Sequence, residues 1–231
     1  MSVKPFAPGS GRLSKPGEGV IVAPFSDAIG ILADDFLLES IVGALPPGWT
    51  TRQFGEFLVR VELAREADGF VVKVNRIVKA KASHLESALD CLLDQLRHLV
   101  VLLEHPRLFV KARLMRHREA AIVVLGASGA EVGPSEGSAV AFDVNGRVTT
   151  LEAPGDPLEV VALVELDPSS GAPSQDLGAA RMAASVFEAK LTPLREVGPW
   201  LDVIGDLAQA SLCLRMQPTQ EAFELLMQRL N

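Results

Sequence analysis

The sequence predicts a mixed α/β (α+β) protein, with a small N-terminal α/β lobe and a core in which a mixed sheet is flanked by helices. Three observations carry this. Residues 56–63, 69–75 and 77–81 alternate or are β-branched, and read as an antiparallel meander with one solvated face. Leu85, Leu89, Leu92, Leu93, Leu96, Val100 and Leu103 recur at three- and four-residue spacing, the period of a core-facing helix. Residues 158–166 form a nearly continuous apolar run, as in a central strand buried on both faces.

The remaining elements follow in order. Residues 1–19 are rich in Pro, Gly, Ser and Lys without an apolar core, so they read as a flexible tail rather than a signal peptide or anchor. Val20–Ala23 suggests a strand. Asp34 or Asp35 can N-cap a helix running to Ala44, with Phe36, Leu37, Ile41 and Val42 on its apolar side. Pro46-Pro47-Gly48 ends it, because proline disfavours α geometry in the residue before it. Ser83-x-x-Glu86 has the form of a capping box for the leucine helix, which runs to Pro106. The N-terminal lobe therefore spans residues 20–105 and the core 106–231.

In the core, residues 108–115 and Ala120–Leu125 read as strands joined by a polar turn at Arg116-His117-Arg118. Residues 139–143 and 147–151 flank Val144-Asn145-Gly146, where Asn-Gly is a strong hairpin signal. Residues 168–175 read as loop, and Asp176 as the cap of a helix reaching Leu191. A further helical stretch over 193–210 is interrupted near Gly198-Pro199. Leu212–Met216 is a short strand, and Thr219 caps a last helix with Phe223, Leu226 and Leu230 facing inward.

Composition narrows the function classes. At 48% hydrophobic and 22% charged, the 231-residue chain has the makings of a core and none of the profile of disorder. A net charge of −7 without a basic stripe argues against nucleic acid or an anionic membrane as partner. Cys91 and Cys213 lie inside apolar runs and read as buried free thiols in a reducing compartment, hence a cytoplasmic protein. His84, His98, His105 and His117 show no metal-ligand spacing, and no metal or cofactor is expected.

The segment with the most chemical content begins at Ile122. An apolar β-branched run enters Gly126-Ala127-Ser128-Gly129, the way a phosphate-binding loop opens. Such a loop needs Gly-Lys-Ser/Thr at the fifth to seventh positions after its first glycine: the lysine reaches the β/γ-phosphates and the hydroxyl holds magnesium. Here those positions hold Glu131, Val132 and Gly133; counted from Gly129 they hold Pro134, Ser135 and Glu136. No lysine occurs between Lys111 and Lys190. By itself Gly-Ala-Ser-Gly after a strand is better explained by an ordinary hairpin or loop.

Taken in this order, the pieces over roughly residues 28–230 resemble the HPr serine kinase/phosphorylase-like family, related in fold to phosphoenolpyruvate carboxykinase. Leu45-Pro46-Pro47-Gly48-Trp49 looks like the opening lobe of bacterial members. Leu108-Phe109-Val110-Lys111-Ala112 looks like the family's apolar strand ending in a His-Ala pair, and the hydrophobic run, helix pair and final strand-helix with Glu224-Leu225-Leu226 match in order. The departures bear on activity. Lys111 stands where the family has the histidine, and Glu131-Val132-Gly133 where it has Gly-Lys-Ser/Thr. Val140-Ala141-Phe142-Asp143 looks like the family's Val-x-x-Asp, but Glu136-Gly137-Ser138 precedes it in place of the acidic motif. Only 16 residues lie between Gly126 and Asp143, too few for the helix and strand expected there.

The resemblance thus implies a degenerate member: a catalytically inactive protein-binding or scaffold subunit with no catalytic residue. Loss of the phosphate-loop helix would leave apolar sheet surface in water, and such patches mark interaction sites, unless the shortened loop and neighbouring side chains refill the gap. A protein partner or self-association is therefore expected, with Val132 and Pro134 as contact candidates. Two further readings stand beside it. One is a nucleotide or anion sensor using the Gly126, Ala127, Ser128 and Gly129 backbone without turnover. The other is an active ATP-dependent serine kinase with relocated groups, Lys111 for phosphate and Glu131, Glu136 or Asp143 for metal.

Overall fold

The computed structural model describes residues 9–15, 17–25, 27–104, 106–126, 139–192 and 198–231. The chain divides into two compact units, Met1–Glu104 and His105–Asn231. The class is mixed α and β, as the sequence predicts.

In the first unit the strands are β1 (Gly11–Leu13), β2 (Val20–Ala23), β3 (Ile29–Leu32), β4 (Thr50–Arg52), β5 (Gly55–Phe57), β6 (Val59–Glu66), β7 (Gly69–Val74) and β8 (Ile77–Ala82), with helices α1 (Asp35–Ala44) and α2 (Leu85–Leu103). The meander β6-β7-β8 is antiparallel and forms half of a six-stranded sheet ordered β4-β2-β3-β6-β7-β8. β3 and β6 run parallel, so α1 lies in the crossover between them. Along β6, Val59, Val61 and Leu63 are buried while Arg60, Glu62 and Ala64 are half-buried, the period-two pattern of a strand with one covered face.

Part of the expected flexible tail is structured: β1 pairs antiparallel with β5, and Leu13 is buried. Three residues are too few to display a period, so the pairing had no signature in the sequence. Phe57 fixes this corner. A Cβ on Gly30 would meet the Phe57 ring at 2.5 Å, and one on Gly11 would meet it at 2.7 Å. Both glycines are required by the close approach of that ring.

Asp34 caps α1 by accepting the Leu37 N–H at 2.9 Å. Leu37 and Ile41, one turn apart, are buried, but Phe36 and Val42 are not on the covered side; they are 68% and 45% exposed. Once the cap sets the phase of a ten-residue helix, residues flanking the Leu37–Ile41 stripe fall outside it. The capping box at Ser83 is also corrected. His84 is the N-cap of α2 and no side chain caps the helix, because β8 stays paired with β7 through Ala82 and leaves only two residues to turn. α2 packs on β7 and β8 through a stripe centred on Ala88, Leu92 and Leu96, with Leu89 and Leu93 half-buried beside it. Just past its end, the buried Glu104 accepts the Asp27 N–H at 2.6 Å.

The second unit contains β9 (Leu108–Val110), β10 (Ala112–His117), β11 (Ala120–Leu125), β12 (Val140–Phe142), β13 (Val148–Thr150), β14 (Glu159–Leu166), β15 (Ser174–Asp176) and β16 (Leu212–Met216), with α3 (Ala179–Glu188), α4 (Trp200–Ala210) and α5 (Gln220–Leu230). They form a five-stranded sheet, β10-β11-β14-β16-β15, and a three-stranded sheet, β13-β12-β9. β14 is central and parallel to both neighbours. The Asn-Gly hairpin joins β12 and β13, and Thr219 Oγ1 accepts the Ala222 N–H at the start of α5.

Four sequence expectations change here. The strand over 108–115 breaks at Lys111 and supplies two sheets, because the Lys111 N–H turns to Ala189 O and the Phe109 carbonyl accepts the Leu191 N–H. The β10–β11 turn falls at Arg118, which adopts φ 56°, and not at Arg116. Ser174 and Gln175, expected as loop, and Asp176, expected as a helix cap, form β15 at the edge of β16. That ladder continues through the Leu177 N–H to Cys213 O, so α3 begins only after Gly178 and Asp176 is no cap.

The anticipated bare sheet face is absent among the described residues. Ala121, Ile122, Val123, Val124 and Leu125 are each 4% exposed or less. α3 and α4 cover one face through Met182, Val186, Trp200 and Ile204 against Val123 and Leu163. α5 covers the other, placing Ala222 and Leu226 in one core with Ile122, Val124, Val164 and Leu214. Helices contributed from later in the chain close both faces of the sheet.

The Phe57 seat generates a first prediction. Gly30→Ala should lower the urea midpoint by about 1–3 kcal/mol of stability, since a rigid ring must move from a filled site. Adding Phe57→Leu should recover part of that loss, and an unchanged midpoint in Gly30→Ala would contradict the packing.

Candidate functional site

In open α/β sheets, ligand crevices form beyond the carboxyl ends of parallel strands. β11, β14 and β16 end level with one another, because Leu125 pairs with Glu165 and Glu165 with Arg215. Gly126 leaves β11 with φ +78°, and a Cβ there would stand 3.0 Å from the Leu166 carbonyl oxygen. Both facts favour glycine, so the chain does turn at the place a phosphate loop would occupy. Ala127, Ser128, Gly129, Glu131, Val132, Pro134 and Glu136 lie outside the described residues.

The described chemistry at these strand ends is an ion-pair cluster. Arg215 Nη2 donates to Glu165 Oε1 at 3.3 Å and lies 3.4 Å from Oε2. The Ser185 hydroxyl on α3 is 2.9 Å from Glu165 Oε2 and 3.2 Å from the Arg181 carbonyl, its two acceptors. Arg215 Nε faces Asp167 Oδ2 at 3.8 Å, an ion pair without a hydrogen bond. Asp167 Oδ1 accepts both the Ser169 hydroxyl, at 2.6 Å, and the Ser169 N–H, at 2.9 Å. Hydrogen bonding from the Ser169 hydroxyl, then from its amide, holds the Asp167 carboxyl below the usual range, and the Arg215 charge adds to this.

One guanidinium between two carboxylates leaves the cluster with a surplus negative charge. Its cation is already engaged, so it opposes a phosphate and serves instead to tie β14, β16 and α3 together. No sequence motif singles out these residues. The available signals were a glutamate within the apolar 158–166 run and an arginine within Leu212–Met216, charged types that seldom enter buried strands unpaired.

Of the groups considered for relocated catalysis, the two that are described, Lys111 and Asp143, are not assembled. Lys111 is exposed and follows the Val110–Val140 pair, whereas Asp143 follows Phe142, whose partner is Leu108. They therefore stand beyond opposite ends of the same ladder. Asp143 Oδ1 accepts the Asn145 and Arg147 N–H groups at 2.9 and 3.0 Å, shaping the hairpin turn. No group of three or more His, Cys, Asp or Glu side chains among the described residues is placed to hold a metal ion. Both cysteines are free, but Cys91 is half-buried, not buried as expected. Cys213 is buried, which pushes its thiol pKa up, and its Sγ donates to Ala208 O. No described helix is long and apolar enough to cross a membrane.

No family model, curated protein or solved structure matches the chain.

Two predictions test the cluster. Arg215→Met should destabilise the protein by about 1–3 kcal/mol by stranding Glu165, and Glu165→Gln with Arg215→Met should be milder than the two losses summed; additive losses in urea titrations would dissolve the pair. The depressed Asp167 pKa makes its contribution fully present above the ordinary aspartate value of about 3.9 and lost as pH falls through the lower folded value. Asp167→Asn should therefore flatten the acid limb of the stability profile, read as melting temperature between neutral pH and about pH 3.

Proposed function

We propose that this chain is a noncatalytic protein of HPr serine kinase/phosphorylase-like architecture, working in the cytoplasm as a protein-binding or scaffold subunit. The observation that carries this reading is the mismatch at Gly126. A glycine-dependent turn stands at the carboxyl end of a strand parallel to its neighbour, where a phosphate loop belongs. Yet the positions that should follow as Gly-Lys-Ser/Thr are Glu131, Val132 and Gly133. The cation beside those strand ends, Arg215, is committed to Glu165. Lys111 and Asp143 stand apart, which speaks against relocated catalysis.

A bare sheet face no longer argues for a partner, since that face is filled. Two features still support binding. The segment bearing Val132 and Pro134 links β11 to β12, strands of different sheets, and carries no charge of its own beyond Glu131 and Glu136. In the N-terminal unit, β8 is the last strand of its sheet, with Ile77 and Val78 62% and 47% exposed. Exposed apolar side chains on an edge strand favour pairing with another chain. Self-association is the simplest such pairing.

The test is solution mass at micromolar protein, with Val132→Asp alongside, together with phosphate release from Mg-ATP. A dimer or larger species weakened by the added charge, with no phosphate release, is the expected result. A strict monomer that recovers no partner from extract would overturn the binding role. Metal-dependent phosphate release abolished by Lys111→Ala would overturn the noncatalytic one. Mg-ATP binding without turnover, seen as a thermal shift, would move the reading to a nucleotide sensor.

A further inference from the structure

A groove in the N-terminal unit has a charge balance unlike that of the protein around it. It lies between β1 and the β7–β8 turn and has a volume of about 680 Å³, within the range of small-molecule sites. Its apolar lining is Leu13, Leu32 and Phe57, and its charged lining includes Arg12, Arg60 and Arg76. The turn is rigidly built. Asn75 and Arg76 both adopt positive φ, 48° and 70°, as a two-residue hairpin turn requires. The Arg60 N–H donates to Asn75 Oδ1 and the Arg60 carbonyl accepts the Asn75 N–H, tying the turn to β6.

The charges of the groove can be followed one by one. Arg60 is ion-paired to Glu62 on its own strand. Glu18, the acidic group lining the groove, has its Oε2 occupied by the N–H groups of Ser14 and Lys15 at 2.6 and 3.1 Å. Those bonds hold its carboxyl below the usual range, so it stays ionised as a brace for the 14–18 loop. Glu56 stands opposite Arg12 in the β1–β5 register but forms no ion pair with it. Arg12 and Arg76 therefore remain without an ion pair or side-chain hydrogen bond among the described residues. Two uncommitted guanidiniums beside one apolar floor do not reflect a general excess of cations, since Asp and Glu outnumber Lys and Arg by 29 to 22.

We infer that this groove binds a small organic oxyanion, a carboxylate or phosphate attached to an apolar ring or chain. Arg12 and Arg76 hold the oxyanion, for which planar guanidinium donors are suited, and the apolar part lies over Phe57, Leu13 and Leu32. The acidic Glu18 at the same lining limits the charge the site accepts and selects against polyanions such as nucleic acid. The inference is independent of any protein-binding role for the chain.

The experiment is calorimetric titration of the full chain at low salt with phenyl phosphate, phenylacetate, inorganic phosphate and benzyl alcohol. Saturable one-to-one binding is expected for the first two, tighter than for inorganic phosphate or the neutral alcohol. Response to phenyl phosphate alone narrows the ligand to phosphate esters, and response to both aryl anions supports the broader class. Arg12→Gln and Arg76→Asn should each weaken binding about tenfold, as loss of a charge-assisted hydrogen bond does; asparagine keeps the left-handed turn. Lys79→Gln, a nearby exposed cation outside the groove, should leave affinity unchanged. No saturation by either aryl anion at about 10 mM would overturn the site. Equal weakening in all three variants, or none in the two arginine variants, would overturn it as well.

Discussion

β14 is hydrogen-bonded on both edges by strands running its own way, and the C-terminal unit is arranged around that constraint. A strand parallel to both neighbours must be reached by long connections, and both of its faces need a cover. The chain supplies α3 and α4 between β14 and β16, and α5 after β16. The two faces are thereby filled from opposite sides, with Leu163 in one core and Val164 in the other. The short three-stranded sheet joins the first of these cores through Val110, Val140, Phe142 and Val148. Its outer register is held by the segment after α3, where Thr192 Oγ1 accepts the Phe109 N–H.

The same parallel arrangement brings three strand ends level, and the residues placed there decide what the site can do. A phosphate site would need free donors and a free cation at that edge. Instead Glu165 and Arg215 face each other across the ladder, with Ser185 and Asp167 completing their coordination. An edge whose one cation is engaged by two carboxylates ties the strands together and gives an incoming anion little to bind. Position and chemistry are thus separable at Gly126: the turn is retained by backbone geometry, while the side chains around it serve packing and charge pairing.

The N-terminal unit assigns its charges differently. Its small β1–β5 sheet rests on Phe57, admitted by Gly11 and Gly30, and this seat leaves an apolar floor beside the β7–β8 turn. Arg60 and Glu62 neutralise each other on β6, but Arg12, opposite Glu56 on a short strand, and Arg76, in a tight turn, form no ion pair among the described residues. Two open guanidiniums of an acidic protein are therefore brought to one groove by local backbone structure.

The amino-acid sequence by itself determined the elements whose signals are local. The apolar run of β14, the Asn-Gly hairpin between β12 and β13, the leucine period of α2 and the caps at Asp34 and Thr219 each lie within one turn, strand or helix, so residue order suffices to encode them. Tertiary structure alone decided the rest. β1, β4 and β15 are three residues each, too short to show a period, and they exist because a neighbour offers a ladder. Lys111 divides one apparent strand between two sheets because its backbone finds Ala189, far along the chain. The pairing of Glu165 with Arg215 joins residues 50 apart, and the burial of β11 depends on helices that follow it by more than fifty residues. Such contacts are set by which strands become neighbours, a choice made by burying apolar faces jointly, and no single stretch of sequence contains it.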